Sequence, residues 1–385
     1  MIASLLLLEG ALQLGSAMSP QLAVLLGPPN ARPATLPDPD VGVRLNPAHP
    51  DHDARGFRNR EALAAADVVA LGDSQTYGTN VARDRAWPQQ LAARIGQPVY
   101  NMGVPGHGPV QARATLATAL ELQPTTVVYA LYAGNDLYDA FTRAYADTAG
   151  VDARRSEDPA VLAEVRAAEA REPLADAVAR AFTALYGAPE TRAAPPPPGG
   201  LRGLLSRQSR LYGLVRAVRR GVRAPPTRHW AEIRATARAG QPLDTPNVRT
   251  ILTPAYRLCA LRLSDPRIAE GLRITLTDLA GMAATATATD TRFVVAFVPT
   301  KELVFADAAG PPRAPSWDEL IEQETELWRR ATAFLRTHDI DFVDLLPALR
   351  AAIAAGTPPY SQTADGHPNE AGHGAIATAL GAVLE

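Results

Sequence analysis

In ADVVALGDSQTYG, residues 66–78, an apolar run ends at a Gly-Asp-Ser corner that sets Ser74 just beyond it. A serine hydroxyl is a poor nucleophile until a base takes its proton, and the base works best when a carboxylate fixes its tautomer. The chain offers seven histidines. His367 stands two residues after Asp365 in TADGHPNEAGHGAIATALGAVLE, on a loop ahead of an amphipathic helix that Asn369 can cap. His107, in the glycine-rich GVPGHGP, is the one rival. His373 falls inside the last helix and is expected at its surface, while His229 and His338 lie in linker and helix-end contexts. His49 and His52 accompany Asp51 and Asp53 in a loop-like, carboxylate-rich stretch, which reads as solvated surface and not as a metal site.

Attack on an acyl carbonyl also needs donors aimed at the oxyanion. Gly103 in VYNMGVPGHG can bring its N–H close with no side chain in the way, and Asn135 in YALYAGND can offer its amide. Each block alone has an ordinary reading, since Gly-Asp-Ser is a common turn and N-cap and Gly and Asn are common loop residues. Taken together, a nucleophile, a base, an orienting carboxylate and two donors arrive from separate strand ends, and that conjunction points to acyl transfer. No Gly-x-Gly-x-x-Gly follows the first strand, which disfavours a dehydrogenase.

Strands must deliver these groups to one edge. Apolar runs bounded by turn signals cover Asp67–Leu71, Pro98–Met102, Thr126–Tyr132, Arg292–Val298 and Asp341–Leu345, with helical patterns at Trp87–Ile95, Val110–Leu122 and Trp317–Thr337. Continuous apolar strands alternating with helices predict an α/β fold, a doubly wound parallel sheet of about five strands covered on both faces. Ligands bind such sheets beyond the strands' carboxyl ends. The third and fourth strands are about 160 residues apart, too far for one crossover. A mostly helical insertion over 146–288 is therefore expected, between α/β parts at 29–145 and 289–385. It contains an Ala-rich helical stretch, Asp158–Tyr186, the breaker APETRAAPPPPGG, and an arginine-lined amphipathic stretch over 201–223.

A net charge of -2 over 385 residues and a pI near 6.4 argue against a general nucleic-acid binder. Cys259 is the only cysteine, so no internal disulfide can form. Residues 1–28 are mostly apolar, lack Lys and Arg, and are interrupted by Glu9, Gln13 and Pro20. Ile2 to Met18 reads as a short anchor or an interfacial helix, with a buried or swapped helix as the alternative; the stretch over 201–223 reads first as a lid helix packed on the main domain and, as the alternative, as a second membrane or anionic-polymer contact.

The four blocks, Gly72-Asp73-Ser74, Gly103, Gly134-Asn135-Asp136 and Asp365-Gly366-His367-Pro368, resemble the GDSL-type SGNH hydrolase family over residues 66–140 and 290–385. Gln75 and Thr76 replace the leucine of the family name. One residue separates acid and base where many members have two, which is similar to the subgroup related to alginate O-acetylation proteins. The resemblance implies a flavodoxin-like α/β/α fold, Ser74 as nucleophile, His367 as base, Asp365 as its orienter, and an oxyanion hole from the Ser74 and Gly103 N–H groups and the Asn135 amide. It implies no metal or organic cofactor. The implied reaction is ester cleavage through an acyl-enzyme, on short acyl groups such as acetyl carried by a carbohydrate or small molecule. Two alternatives stay open: an O-acetyltransferase with the same site, and an inactive, membrane-tethered glycan-binding protein. Lys301, the only lysine, lies at the same edge in RFVVAFVPTKELVF and resembles Pro-x-Lys segments of polysaccharide-acetylating relatives. It reads either as surface charge or, with His107 and Asp73, as a substrate contact, orienting the substrate or pairing with Glu302. Family habit implies an extracytoplasmic, membrane-associated place in a bacterial periplasm or cell surface, with the cytoplasm as the alternative.

Overall fold

A computed structural model of the chain describes residues 2–18, 33–145, 154–187, 209–215, 229–236 and 239–384. Packing divides the chain into two compact units, Met1–Ala62 with Pro189–His229, and Leu63–Ala188 with Trp230–Glu385. These units cut the chain at places other than the boundaries read from the sequence.

In the first unit a helix covers Ile2–Met18. No helix among the described residues is long and apolar enough to cross a membrane. Glu9, the charge that interrupts the apolar run, accepts hydrogen bonds from Ser209 Oγ and from the N–H groups of Arg210 and Leu211. Most of the arginine-lined stretch expected over 201–223 lies outside the described residues. Strands β1 (Thr35–Asp38) and β2 (Gly42–Leu45) form an antiparallel hairpin. Nearby the sequence expectation fails: His52 and Asp53 are buried. The His52 Nδ1 lies 2.9 Å from the Asn46 carbonyl, and Asp53 accepts from the Arg55 and Phe57 N–H groups and from Asn59 Nδ2. A carboxylate that closes a turn on three donors has its desolvation offset, so it need not face water.

The second unit is built on β3 (Val68–Gly72), β4 (Val99–Asn101), β5 (Thr126–Tyr132), a two-stranded antiparallel pair β6 (Gln241–Asp244) and β7 (Arg249–Leu252), then β8 (Arg292–Val298) and β9 (Asp341–Asp344). Five of these make one parallel sheet in the order β4-β3-β5-β8-β9. All residues of β3 and β5 are buried, as a sheet covered on both faces requires. One face carries Val68, Ala70, Val128, Ala130, Val294 and Ala296 against Trp87 and Leu91 of the helix Trp87–Ile95 and Ile376 and Leu380 of the helix Glu370–Leu384. The winding reverses between β3 and β5, the crevice in which such folds hold ligands.

Two features depart from the sequence reading. Helix Pro266–Thr287, inside the stretch read as an insertion, packs on β8 and on the helices Asp136–Tyr145 and Pro109–Leu120, so it is the crossover helix that leads into β8. His373 is fully buried, and its Nδ1 accepts the Trp87 N–H, one of the donors a helix start leaves unpaired.

Candidate active site

The corner at Ser74 is set by Asp73. Its Oδ1 accepts the Gln75 N–H at 2.8 Å and so caps the single turn Ser74–Tyr77, which turns the chain off β3 and starts it at Ser74. The neighbouring β4 end packs tightly beneath this turn: a Cβ on Gly103 would stand 2.7 Å from the Thr76 carbonyl carbon and would also collide with the Tyr77 nitrogen. Gly103→Ala is therefore expected to cost about 2 kcal/mol, read as a lower urea midpoint, and to lower activity with it.

His367 reaches Ser74 from the loop before the last helix. His367 Nε2 lies 2.8 Å from Ser74 Oγ, and His367 Nδ1 lies 2.6 Å from Asp365 Oδ1. Asp365 is held from three sides, since Oδ1 also accepts the His367 N–H and Oδ2 accepts Asn80 Nδ2 at 2.6 Å. Burial pushes this carboxyl up, but the hydrogen bonds and charge of His367, with Asn80, outweigh it and hold Asp365 well below the ordinary carboxylate range. The hydroxyl proton of Ser74 has a second acceptor in Asp73 Oδ2 at 3.2 Å. Burial raises the Asp73 pKa, and the imidazole is nearer.

Lys301 does not meet the substrate cavity. It is 1 % exposed, and its Nζ donates to the carbonyls of Thr363 (2.7 Å) and Asp365 (3.1 Å), which pins the loop carrying the acid and the base. Thr250 Oγ1 donates to the Ser361 carbonyl at 2.7 Å, and Tyr186 OH to the Ala364 carbonyl. Surface charge and substrate contact are thus both replaced by a loop anchor. Its expected pairing with Glu302 is also replaced, because Glu302 accepts from Thr253 N–H and Oγ1 instead. Burial, aided by Arg257 and opposed by Glu302 and Asp365, pushes the amine down to about 7.

The expected oxyanion donors are differently placed. Ser74 N–H meets no acceptor among the described residues. Gly103 N–H is spent on Asn101 Oδ1 at 2.9 Å, while Asn101 Nδ2 ties the Thr76 carbonyl. Asn135 Nδ2 donates to Asp139 at 2.7 Å and to Asp73 at 3.3 Å. His107 and Asp73, read as substrate contacts, are buried and do not line the cavity over Ser74.

That cavity, about 380 Å³, is bounded by Tyr132, Phe182, Tyr186, Tyr256 and Arg257, and opens onto Ser74, Asn135 and His367. A larger hollow of about 820 Å³ beside the helix Trp317–Thr337 contains neither Ser74 nor His367. Sequence reasoning missed Asn80, Thr250 and Arg257, whose neighbours in sequence carry no motif; the adjacent Tyr256-Arg257 pair is the only local signal for the last.

The profile of the GDSL-like Lipase/Acylhydrolase family matches residues 70–375. A search of curated proteins returns no match. Among solved structures the fold is similar to a member of the lipolytic protein G-D-S-L family from Veillonella parvula DSM 2008, at 12% identity and TM-score 0.34, covering 82% of this chain and 96% of that one. It is also similar to a catalytic mutant of an acetylxylan esterase from Geobacillus stearothermophilus, at 10% identity and TM-score 0.36, covering 83% and 94%. With the profile spanning most of its length, this chain belongs to the GDSL-like lipase/acylhydrolase family and is an ester-bond hydrolase.

Proposed function

We propose that the protein cleaves short acyl esters, acetyl above all, from a carbohydrate, through an acyl-enzyme on Ser74. The observation that carries the reading is the line from Ser74 Oγ through His367 to Asp365, at 2.8 and 2.6 Å. Ser74 Oγ attacks the ester carbonyl as His367 Nε2 takes its proton, and Asp365 stabilises the imidazolium. The oxyanion is met by Ser74 N–H and by Asn135 once it releases Asp73. His367 then passes the proton to the leaving alcohol, leaving the acyl group on Ser74. Water attacks next, giving its proton to His367, which returns it to Ser74 as the carboxylic acid departs.

Short acyl groups are supported by the cavity size, about 380 Å³ walled by four aromatic rings, and a sugar fits such faces by its apolar side. The test is acetate release from acetylated xylan beside p-nitrophenyl esters of two to eight carbons. Turnover is expected to fall with acyl length and acetate to be freed from the polymer. Preference for the eight-carbon ester with no acetate released would replace this reading by a lipase one. Acetyl appearing on an added sugar in the same assay would make the acceptor a hydroxyl in place of water.

A further inference from the structure

Arg257 stands in the cavity wall and is 8 % exposed. Its Cζ lies 5.0 Å from the Tyr256 ring centroid and 5.6 Å from that of Tyr132. Among the described residues the guanidinium has neither a hydrogen bond nor an ion pair, and its Nε is fully buried. A guanidinium stays charged at any working pH, and two aromatic faces repay only part of the cost of burying it. Glu302, whose charge it feels, gives its Oε1 to Thr253, while its Oε2 is buried and makes no hydrogen bond to Arg257 or to any other described residue. Tyr132 OH is likewise buried in this wall without a partner among the described residues. Gly366, between Asp365 and His367, leaves the space the guanidinium fills, since a Cβ there would collide with it.

We propose that Arg257 is the anion-recognising residue of this cavity, so that the preferred ester carries a carboxylate within a few atoms of the scissile carbonyl. The proposal rests on this cavity being the ester site. The planar fork meets a carboxylate with two parallel N–H donors, and Tyr132 OH can supply another.

Two matched ester pairs test it. One places the charge on the acyl side, p-nitrophenyl hydrogen succinate against p-nitrophenyl butyrate. The other places it on the alcohol side, 4-acetoxybenzoate against phenyl acetate. In at least one pair the parent is expected to favour the charged ester in kcat/KM, and Arg257→Gln to cut that preference about 10- to 100-fold, with Arg257→Lys restoring part of it. A ratio is insensitive to the fraction of folded enzyme. Absence of preference in both pairs, or a preference unmoved by Arg257→Gln, overturns the proposal.

Calorimetry on the Ser74→Ala variant separates this from failure of the hydrolase reading. Monomethyl succinate should bind at least about 10-fold tighter than methyl butyrate, and the difference should vanish when Arg257→Gln is added. That result upholds the proposal even without turnover of any ester, whereas equal binding with turnover intact removes the anion site and leaves the esterase.

Discussion

Replacing Ser74 by Ala is expected to lower kcat on p-nitrophenyl acetate by at least about 10⁴-fold, with His367→Ala close to it and the double variant no worse. The non-additivity is the informative part. On the proposed mechanism Ser74 and His367 act on one proton, and the 2.8 Å contact between them is the shorter of the hydroxyl's two paths to an acceptor, Asp73 Oδ2 being 3.2 Å away. Once either partner is gone, the other has nothing left to contribute. Steady-state kinetics with active-site titration read this directly. Additive losses would mean that the two side chains act in separate steps.

The second large effect is expected at Lys301. Lys301→Met removes the donor that joins the Thr363 and Asp365 carbonyls, so the loop loses its anchor one residue short of Gly366 and two short of the base. Misplacement of a reacting group by about 1 Å costs about 10²-fold, so kcat is expected to fall by about that much while KM moves little. Stability gives an independent readout. Burial puts the folded-state pKa of Lys301 at about 7, against an ordinary 10.5. Between those values the unfolded chain holds a proton that the folded chain has released, so folding becomes more favourable as pH rises through that window. Below about 7 both states hold it, and the full penalty of a buried charge remains. The melting temperature of the parent should therefore gain on that of Lys301→Met between pH 7 and 10 and stay level with it between pH 5 and 6. A gap that does not change with pH would show that the amine keeps its ordinary pKa in the folded chain.

Much of the fold was legible because parallel strands buried on both faces are continuous apolar runs. Thr126–Tyr132 and Arg292–Val298 begin and end where the runs do, and the helices Trp87–Ile95 and Trp317–Thr337 match their patterns to the residue. The crossover helix Pro266–Thr287 was hidden because it follows a long stretch without strand signals, and length alone assigned it to an insertion. Polar burial was the less legible layer. His373 and Lys301 are buried on hydrogen-bond partners that sequence proximity does not reveal: the Trp87 N–H is 286 residues from His373, and the Thr363 carbonyl is 62 from Lys301. The same holds at the site. Ser74, His367 and Asp365 were found because each sits in a short block, whereas Asn80 meets Asp365 across 285 residues and Arg257 enters from a part of the chain with no motif. Gly103 was read as bringing its N–H to an oxyanion; in the structure the group it approaches is the backbone of the Ser74–Tyr77 turn, and its N–H is bound to Asn101.

The central claim is that Ser74 carries the acyl group between two half-reactions. It is tested most directly by quenching the enzyme in acid within its first turnovers of p-nitrophenyl acetate and mapping the acetylated peptide by mass spectrometry. The account predicts one acetyl group, on Ser74, accumulating in a His367→Ala variant only as slowly as that variant releases p-nitrophenol. Turnover by the folded parent with no acetyl on Ser74 at any time, and undiminished in Ser74→Ala, would contradict it.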